Sequence, residues 1–193
     1  KSAEVYNSLF KFGYGFIEVG TVTPKKQLGN NKPRIFRLEK DKALINRLGF
    51  NNHGSDIVLK RISDNLPQGF LGINIGPNKD TENRLEDYLS GLKVFYEIAD
   101  YITINISSPN TENLRNFHND EEMDELLQEI QTEKDKLKTN IPIAIKISPD
   151  LELKSIDKIC GILIKNKIST VIISNSTDRT RENLKNINKL KKG

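Results

Sequence analysis

Short apolar runs rich in β-branched residues recur along the chain, and stretches whose apolar residues fall on one helical face lie between them. The runs at 15–21, 69–76, 101–107, 141–148 and 170–176 read as strands. Spacing of i, i+3, i+4 and i+7 appears in Leu85, Tyr88, Leu89, Leu92 and Phe95, in Met123, Leu126, Leu127 and Ile130, and in Ile156, Ile159, Cys160 and Leu163. Further helices are expected over 2–12, after Asn52, and over 181–191. Alternating strands and helices call for right-handed crossovers and a parallel sheet covered on both faces. Both a doubly wound sheet and a (βα) barrel satisfy this pattern. Residues 22–41 form an insertion with two prolines, Pro24 and Pro33, and no helical period. It follows a strand's carboxyl end, where such folds carry active-site loops.

Four strand candidates carry hydrogen-bonding side chains near their carboxyl ends: Asn74 between Ile73 and Ile75, Asn105 between Ile104 and Ile106, Lys146 between Ile145 and Ile147, and Ser174-Asn175 after Ile173. With a period of two, Asn74, Asn105 and Lys146 point away from their isoleucine neighbours, which face the helices. A buried polar group without a partner costs about 1–3 kcal/mol, so a bound polar ligand accounts for the repetition economically. The alternative is an internal network of mutually satisfied side chains. Lys146 weighs most, because a lysine between two strand isoleucines needs an anion or an electron-rich ring nearby.

Composition narrows the picture. A chain of 193 residues fits one domain, and 36% apolar with 29% charged residues is a globular composition. The single cysteine, Cys160, excludes a disulfide framework or a multi-cysteine metal site within the chain, and its place on an apolar stripe suggests core packing. His53 and His118 are far apart and lack partners at metal-ligand spacing, so no metal is expected. The formal charge of +4 comes with interspersed signs, the pattern of a solvated face, and no nucleic-acid partner is expected. No apolar run approaches the ~20 residues of a membrane span. Gly13-Tyr14-Gly15 precedes a strand and lacks a third glycine, so the dinucleotide fingerprint fails. The chain opens with Lys1 and not Met, which suggests a piece of a longer protein.

Several linked motifs carry a family resemblance. Gly20-Thr21-Val22-Thr23-Pro24 is followed by Gly29-Asn30, Pro33-Arg34, Phe36-Arg37-Leu38 and Asn46-Arg47-Leu48-Gly49-Phe50-Asn51-Asn52. Asn74 then lies in Gly-Ile-Asn-Ile-Gly, Ser107-Ser108-Pro109-Asn110-Thr111 follows Asn105, and Leu114-Arg115 and 146–150 complete the set. Over essentially its whole length the chain resembles the class 2, quinone-linked dihydroorotate dehydrogenases. The resemblance implies an FMN-containing (βα)8 barrel, of which this chain would supply about strands 2 to 6, with the first strand, the last strands and N-terminal quinone-binding helices absent. It implies oxidation of dihydroorotate to orotate in pyrimidine biosynthesis, with electrons passed to a membrane quinone. A location peripheral to the bacterial inner membrane, or at the mitochondrial inner membrane, would follow.

Residue by residue, the resemblance matches Thr21, Asn74, Asn105, Lys146 and Ser174 to FMN contacts. Asn46, Arg47, Leu48, Gly49 and Phe50 match the substrate loop, and Asn105, Asn110, Asn175 and Ser176 match groups that bind orotate. Lys1 lies at the right distance before Thr21 to be the substrate-contacting lysine. Ser108 matches the catalytic base, with Thr111 and the apolar wall of Phe50 as helpers. Class 1 relatives carry cysteine where Ser108 stands. Departures include Lys26 for a usual proline, Glu112-Asn113 for a common Pro-Gly, and a serine-rich version of 174–177. The alternatives are an inactive fragment, a related FMN-barrel enzyme such as a tRNA dihydrouridine synthase, and a basic phosphate- or nucleic-acid-binding module. Steep salt dependence of binding would mark the last of these.

Overall fold

The computed structural model describes residues 1–107, 120–177 and 179–187. In chain order, a short helix α1 (Tyr6–Phe10) leads to β1 (Phe16–Val22), then to a hairpin of β2 (Ile35–Leu38) and β3 (Ala43–Asn46). There follow α2 (Ser55–Asp64), β4 (Phe70–Ile75), α3 (Arg84–Phe95), β5 (Tyr101–Asn105), α4 (Asp120–Leu137), β6 (Ile143–Ile147), α5 (Leu153–Lys165) and β7 (Thr170–Ile173). The five expected strands form one sheet in the order β1-β4-β5-β6-β7, every pair parallel. Each successive strand adds on the same side. A doubly wound sheet reverses direction at a switch point, whereas a barrel wall does not, so the described strands form part of a barrel wall.

Alternation along the strands decides what faces what. Ile73, Ile75, Ile102, Ile104 and Ile145 are buried under α2 to α5, with Val58 and Ile62 of α2, Leu92 and Phe95 of α3, and Leu127 and Ile130 of α4 in the same core. Gly91 of α3 lies directly over Ile75, where an added Cβ would come within 2.9 Å of Cδ1. The intervening residues Asn74, Thr103, Asn105 and Lys146 therefore occupy the opposite, inner face. Asn83 caps α3 by accepting from the Glu86 amide at 3.1 Å, a local start signal written in the sequence as Asn-x-x-Glu.

Tyr88 of α3 crosses the core and donates its hydroxyl to the Asn105 carbonyl at 2.8 Å. Burial lifts its phenol pKa, so it stays a donor. Tyr88→Phe should leave that buried carbonyl without its donor and cost about 1–2 kcal/mol, read from the chemical denaturation midpoint of the full-length protein. An unchanged midpoint would mean that another donor reaches the carbonyl.

Four expectations need correction. The first helix is shorter than 2–12, because Ala3 takes a left-handed φ of 54° and turns begin only at Tyr6. The insertion is not irregular throughout: its end pairs with 43–46 as the antiparallel hairpin β2–β3, with a 3-10 turn over Glu39–Asp41. The helix expected over 181–191 does not form in its described part, 181–187. The backbone amides of Lys185 and Asn186 instead donate to the Asp41 carboxylate, at 2.8 and 2.9 Å. Cys160 is exposed, because α5 buries Ile159 and Leu163 and leaves the adjacent position outside that narrow stripe.

Candidate active site

A cavity of about 290 Å³ lies at the carboxyl ends of the strands. Gly20, Thr21, Asn74, Asn105 and Lys146 reach it from β1, β4, β5 and β6. Lys1, Asn46, Leu48, Gly49, Phe50 and Asn175 line it from the flanking segments. Gly20 has a φ of 126°, which disfavours an L side chain, and an added Cβ would stand 2.3 Å from the Asn74 carbonyl oxygen. The close approach of β1 to β4 at the cavity therefore requires glycine.

The inward polar residues bond to one another. Thr21 Oγ1 donates to Asn74 Oδ1 at 2.7 Å, and Asn105 Nδ2 donates to Thr21 Oγ1 at 2.8 Å and to Asn74 Oδ1 at 3.3 Å. Ser107 Oγ donates to Asn105 Oδ1 at 2.8 Å, while Lys146 Nζ and Asn175 Nδ2 each donate to Ser107 Oγ at 3.0 Å. The internal network and the cavity thus coexist, and the same side chains form both. Burial lowers the Lys146 pKa, and the Glu18 carboxylate opposes that shift. Lys1 is exposed as a residue, but burial of its ammonium end and then the charge of Arg34 lower its pKa.

The loop after β3 is shaped by two consecutive left-handed residues, Gly49 at φ 66° and Phe50 at φ 53°. A bulky residue there is uncommon and needs outside support. Asn52 supplies it: Nδ2 donates to the Phe50 carbonyl at 2.7 Å and to Thr23 Oγ1 at 2.8 Å, while Oδ1 accepts from the amides of Thr23 and Gly54. Gln27 Nε2 adds a bond to the Gly49 carbonyl at 2.9 Å. The result presses the Phe50 ring, 7% exposed, onto the cavity.

Three residues expected at the site do not line this cavity. Arg47 turns outward, donating to the Pro33 carbonyl and stacking over Phe36. Ser174 bonds the carbonyl of Asn175, and β7 ends before it at Ile173. Ser176 lines a separate cavity of about 250 Å³ against the hairpin, which Asn46 also borders. Ser108, Asn110 and Thr111 lie outside the described residues, as does His118. Conversely, Gly20, Glu18 and Ser107 belong to the constellation and carry no expected role from the strand-end pattern. Gly20 and Ser107 stand beside the motif residues Thr21 and Ser108, and that adjacency was the available signal. Among the described residues, no group of three His, Cys, Asp or Glu could hold a metal, and no helix is long and apolar enough to cross a membrane.

Residues 1–193 match the family described as Dihydroorotate dehydrogenase. The chain belongs to the dihydroorotate dehydrogenase family. It is 48% identical over 182 residues to a mitochondrial dihydroorotate dehydrogenase (quinone) from Cyclocybe aegerita, covering 92% of this chain and 56% of that protein. A dihydroorotate dehydrogenase (quinone) from Brucella anthropi is likewise 48% identical, covering 92% and 50%. A crystal structure of DHODH from Eimeria tenella in complex with ferulenol superposes with a TM-score of 0.91 at 38% identity, covering 98% of this chain and 57% of that one. The chain spans about half the length of the curated relatives it matches.

Membership of the dihydroorotate dehydrogenase family supports a flavin cofactor in general terms. The donor set fits such a group. A planar heterocycle with several carbonyl and ring-nitrogen acceptors suits the Lys146 ammonium and the Asn74 amide, each of which gives one hydrogen to the network, with Thr21 and Asn105 bracing them and the Phe50 ring closing one side.

Proposed function

We propose that this chain forms the FMN- and substrate-binding half of a quinone-linked dihydroorotate dehydrogenase. One observation carries the reading: two strand-end asparagines, a threonine and a lysine meet a loop aromatic and two further asparagines on one cavity. Thr21, Asn74, Asn105 and Lys146 would hold FMN, which would supply hydride acceptance from C6 of dihydroorotate and electron transfer onward to a membrane quinone.

The chain's own residues bind, orient and deprotonate. Asn46 and Asn175 each offer an amide donor and an acceptor, the chemistry that reads the paired N–H and C=O edges of a dihydropyrimidine. The Lys1 ammonium is the charge partner for the substrate carboxylate. Lys146 holds positive charge at the flavin ring, and Phe50 excludes water from the reacting face. Asn110 and Ser176 are assigned to substrate and Ser174 to FMN by resemblance. Ser108 takes the C5 proton, helped by Thr111. The family reading further assigns the complete protein to the periphery of the membrane that holds its quinone.

The test is anaerobic titration of the purified full-length protein with (S)-dihydroorotate. Its yellow colour is expected to bleach stoichiometrically and to return on adding a short-chain quinone. Protein that carries flavin yet fails to bleach would refute the substrate assignment, and protein without flavin would refute the cofactor.

A further inference from the structure

The hydrogen bonds at the cavity all run one way. Lys146 donates to Ser107, Ser107 donates to Asn105, Asn105 donates to Thr21 and Asn74, and Thr21 donates to Asn74. Asn74 Nδ2 then donates to Glu18 Oε1 at 2.9 Å. Glu18 is exposed as a residue, yet its other oxygen accepts from Thr103 Oγ1 at 2.7 Å and from the Tyr101 hydroxyl at 3.2 Å. Burial and the Glu18 charge raise the Tyr101 pKa, which keeps that phenol a donor.

An ammonium can only donate and a carboxylate can only accept, so the two ends dictate every amide and hydroxyl between them. With a carboxylate at Glu18, Asn74 must present its NH2 there and its oxygen to Thr21 and Asn105. Asn105 must then turn its own oxygen to Ser107. A neutral group at position 18 would remove this constraint on Asn74, whereas Asn105 stays held from its other end, where the Ser107 backbone amide also donates to its Oδ1 at 3.2 Å.

We propose that Glu18 is a positioning residue, the acceptor-only end of a directed hydrogen-bond chain that fixes which face Asn74 turns to a bound flavin. The inference rests on the flavin reading of the cavity. It adds to that reading a residue that need not touch the cofactor.

Two variants of the full-length protein separate direction from shape. Glu18→Gln keeps the size and loses the acceptor-only character, whereas Glu18→Asp keeps the charge and shortens the side chain by one methylene. FMN dissociation constants, measured by fluorescence quenching on deflavinated protein, are expected to rise about tenfold or more for Glu18→Gln and less than about threefold for Glu18→Asp. A space-filling role gives the opposite order. Tolerance of Gln with loss in Asp, or equal effects in both, overturns the proposal. Should neither variant fold, neutron diffraction from wild-type holoprotein crystals decides. Deuterons of Asn74 Nδ2 aimed at Glu18 and of Ser107 Oγ aimed at Asn105 support the directed chain, and an Asn74 oxygen facing Glu18 overturns it. Wild-type protein that binds no FMN overturns the flavin reading itself, and this proposal with it. Wild-type binding with an indifferent Glu18→Gln sinks the proposal alone.

Discussion

Lys146→Ala in the full-length protein is expected to weaken FMN binding by about 10- to 100-fold, the worth of a charge-assisted hydrogen bond lost from a partly buried site. The remaining flavin should be harder to reduce. Lys146 sits on β6 in register with Asn105, half-buried, with its ammonium 3.0 Å from Ser107 Oγ. Reduction places negative charge on the ring system, and a cation held in place by the protein stabilises that charge without reorganising. Alanine removes the cation and leaves Glu18 without the positive partner whose titration it influences. Redox titration against a dye of known potential measures the second effect. Yellow protein with an unchanged potential would show that the ammonium does not face the flavin.

Ser108→Ala is expected to slow flavin reduction by about 10²–10⁴ while substrate affinity survives, the usual contribution of a general base. Asn46, Asn105 and Asn175, the side chains proposed to hold the substrate, are unchanged in the variant. A serine hydroxyl is far from ionised at neutral pH, so in the wild type the bleaching rate should climb as pH rises. Ser108→Cys should retain part of the activity with its profile moved to lower pH, because a thiol ionises near pH ~8.5. Stopped-flow bleaching of the flavin reads all three effects. An alanine variant bleaching within a few-fold of wild type would transfer the role to another group, with Thr111 and a bound water next in line.

The barrel wall was legible because its strands are short, isoleucine-rich and interrupted by single polar residues at one end. Period-two alternation alone placed Asn74, Asn105 and Lys146 on the inner face. Glu18 escaped because it lies in the middle of β1, where an isolated carboxylate reads as a solvated position. Only the folded sheet brings Asn74, Tyr101 and Thr103 to it. The hairpin was missed because its strands are four residues long, with a burial pattern in β2 that sequence alternation does not reveal. Arg47 was drawn into the site by its neighbours in the motif. Its backbone amide bonds Arg34 and its guanidinium bonds Pro33, so the register of the hairpin end turns it outward. Family resemblance reads contiguous motifs, and contiguity in a loop does not decide which side of it a residue occupies.

Asp41 joins two parts of the chain separated by more than a hundred residues, the tip of the β2–β3 hairpin and the segment beyond β7. One of these carries Asn46 and Phe50 to the cavity, and the other continues from Asn175. These two charge-assisted bonds couple the local opening of the hairpin tip to that of the segment beyond β7. The strap they form thus borders the separate cavity that Asn46 and Ser176 share, and ties the hairpin to the segment that leaves β7.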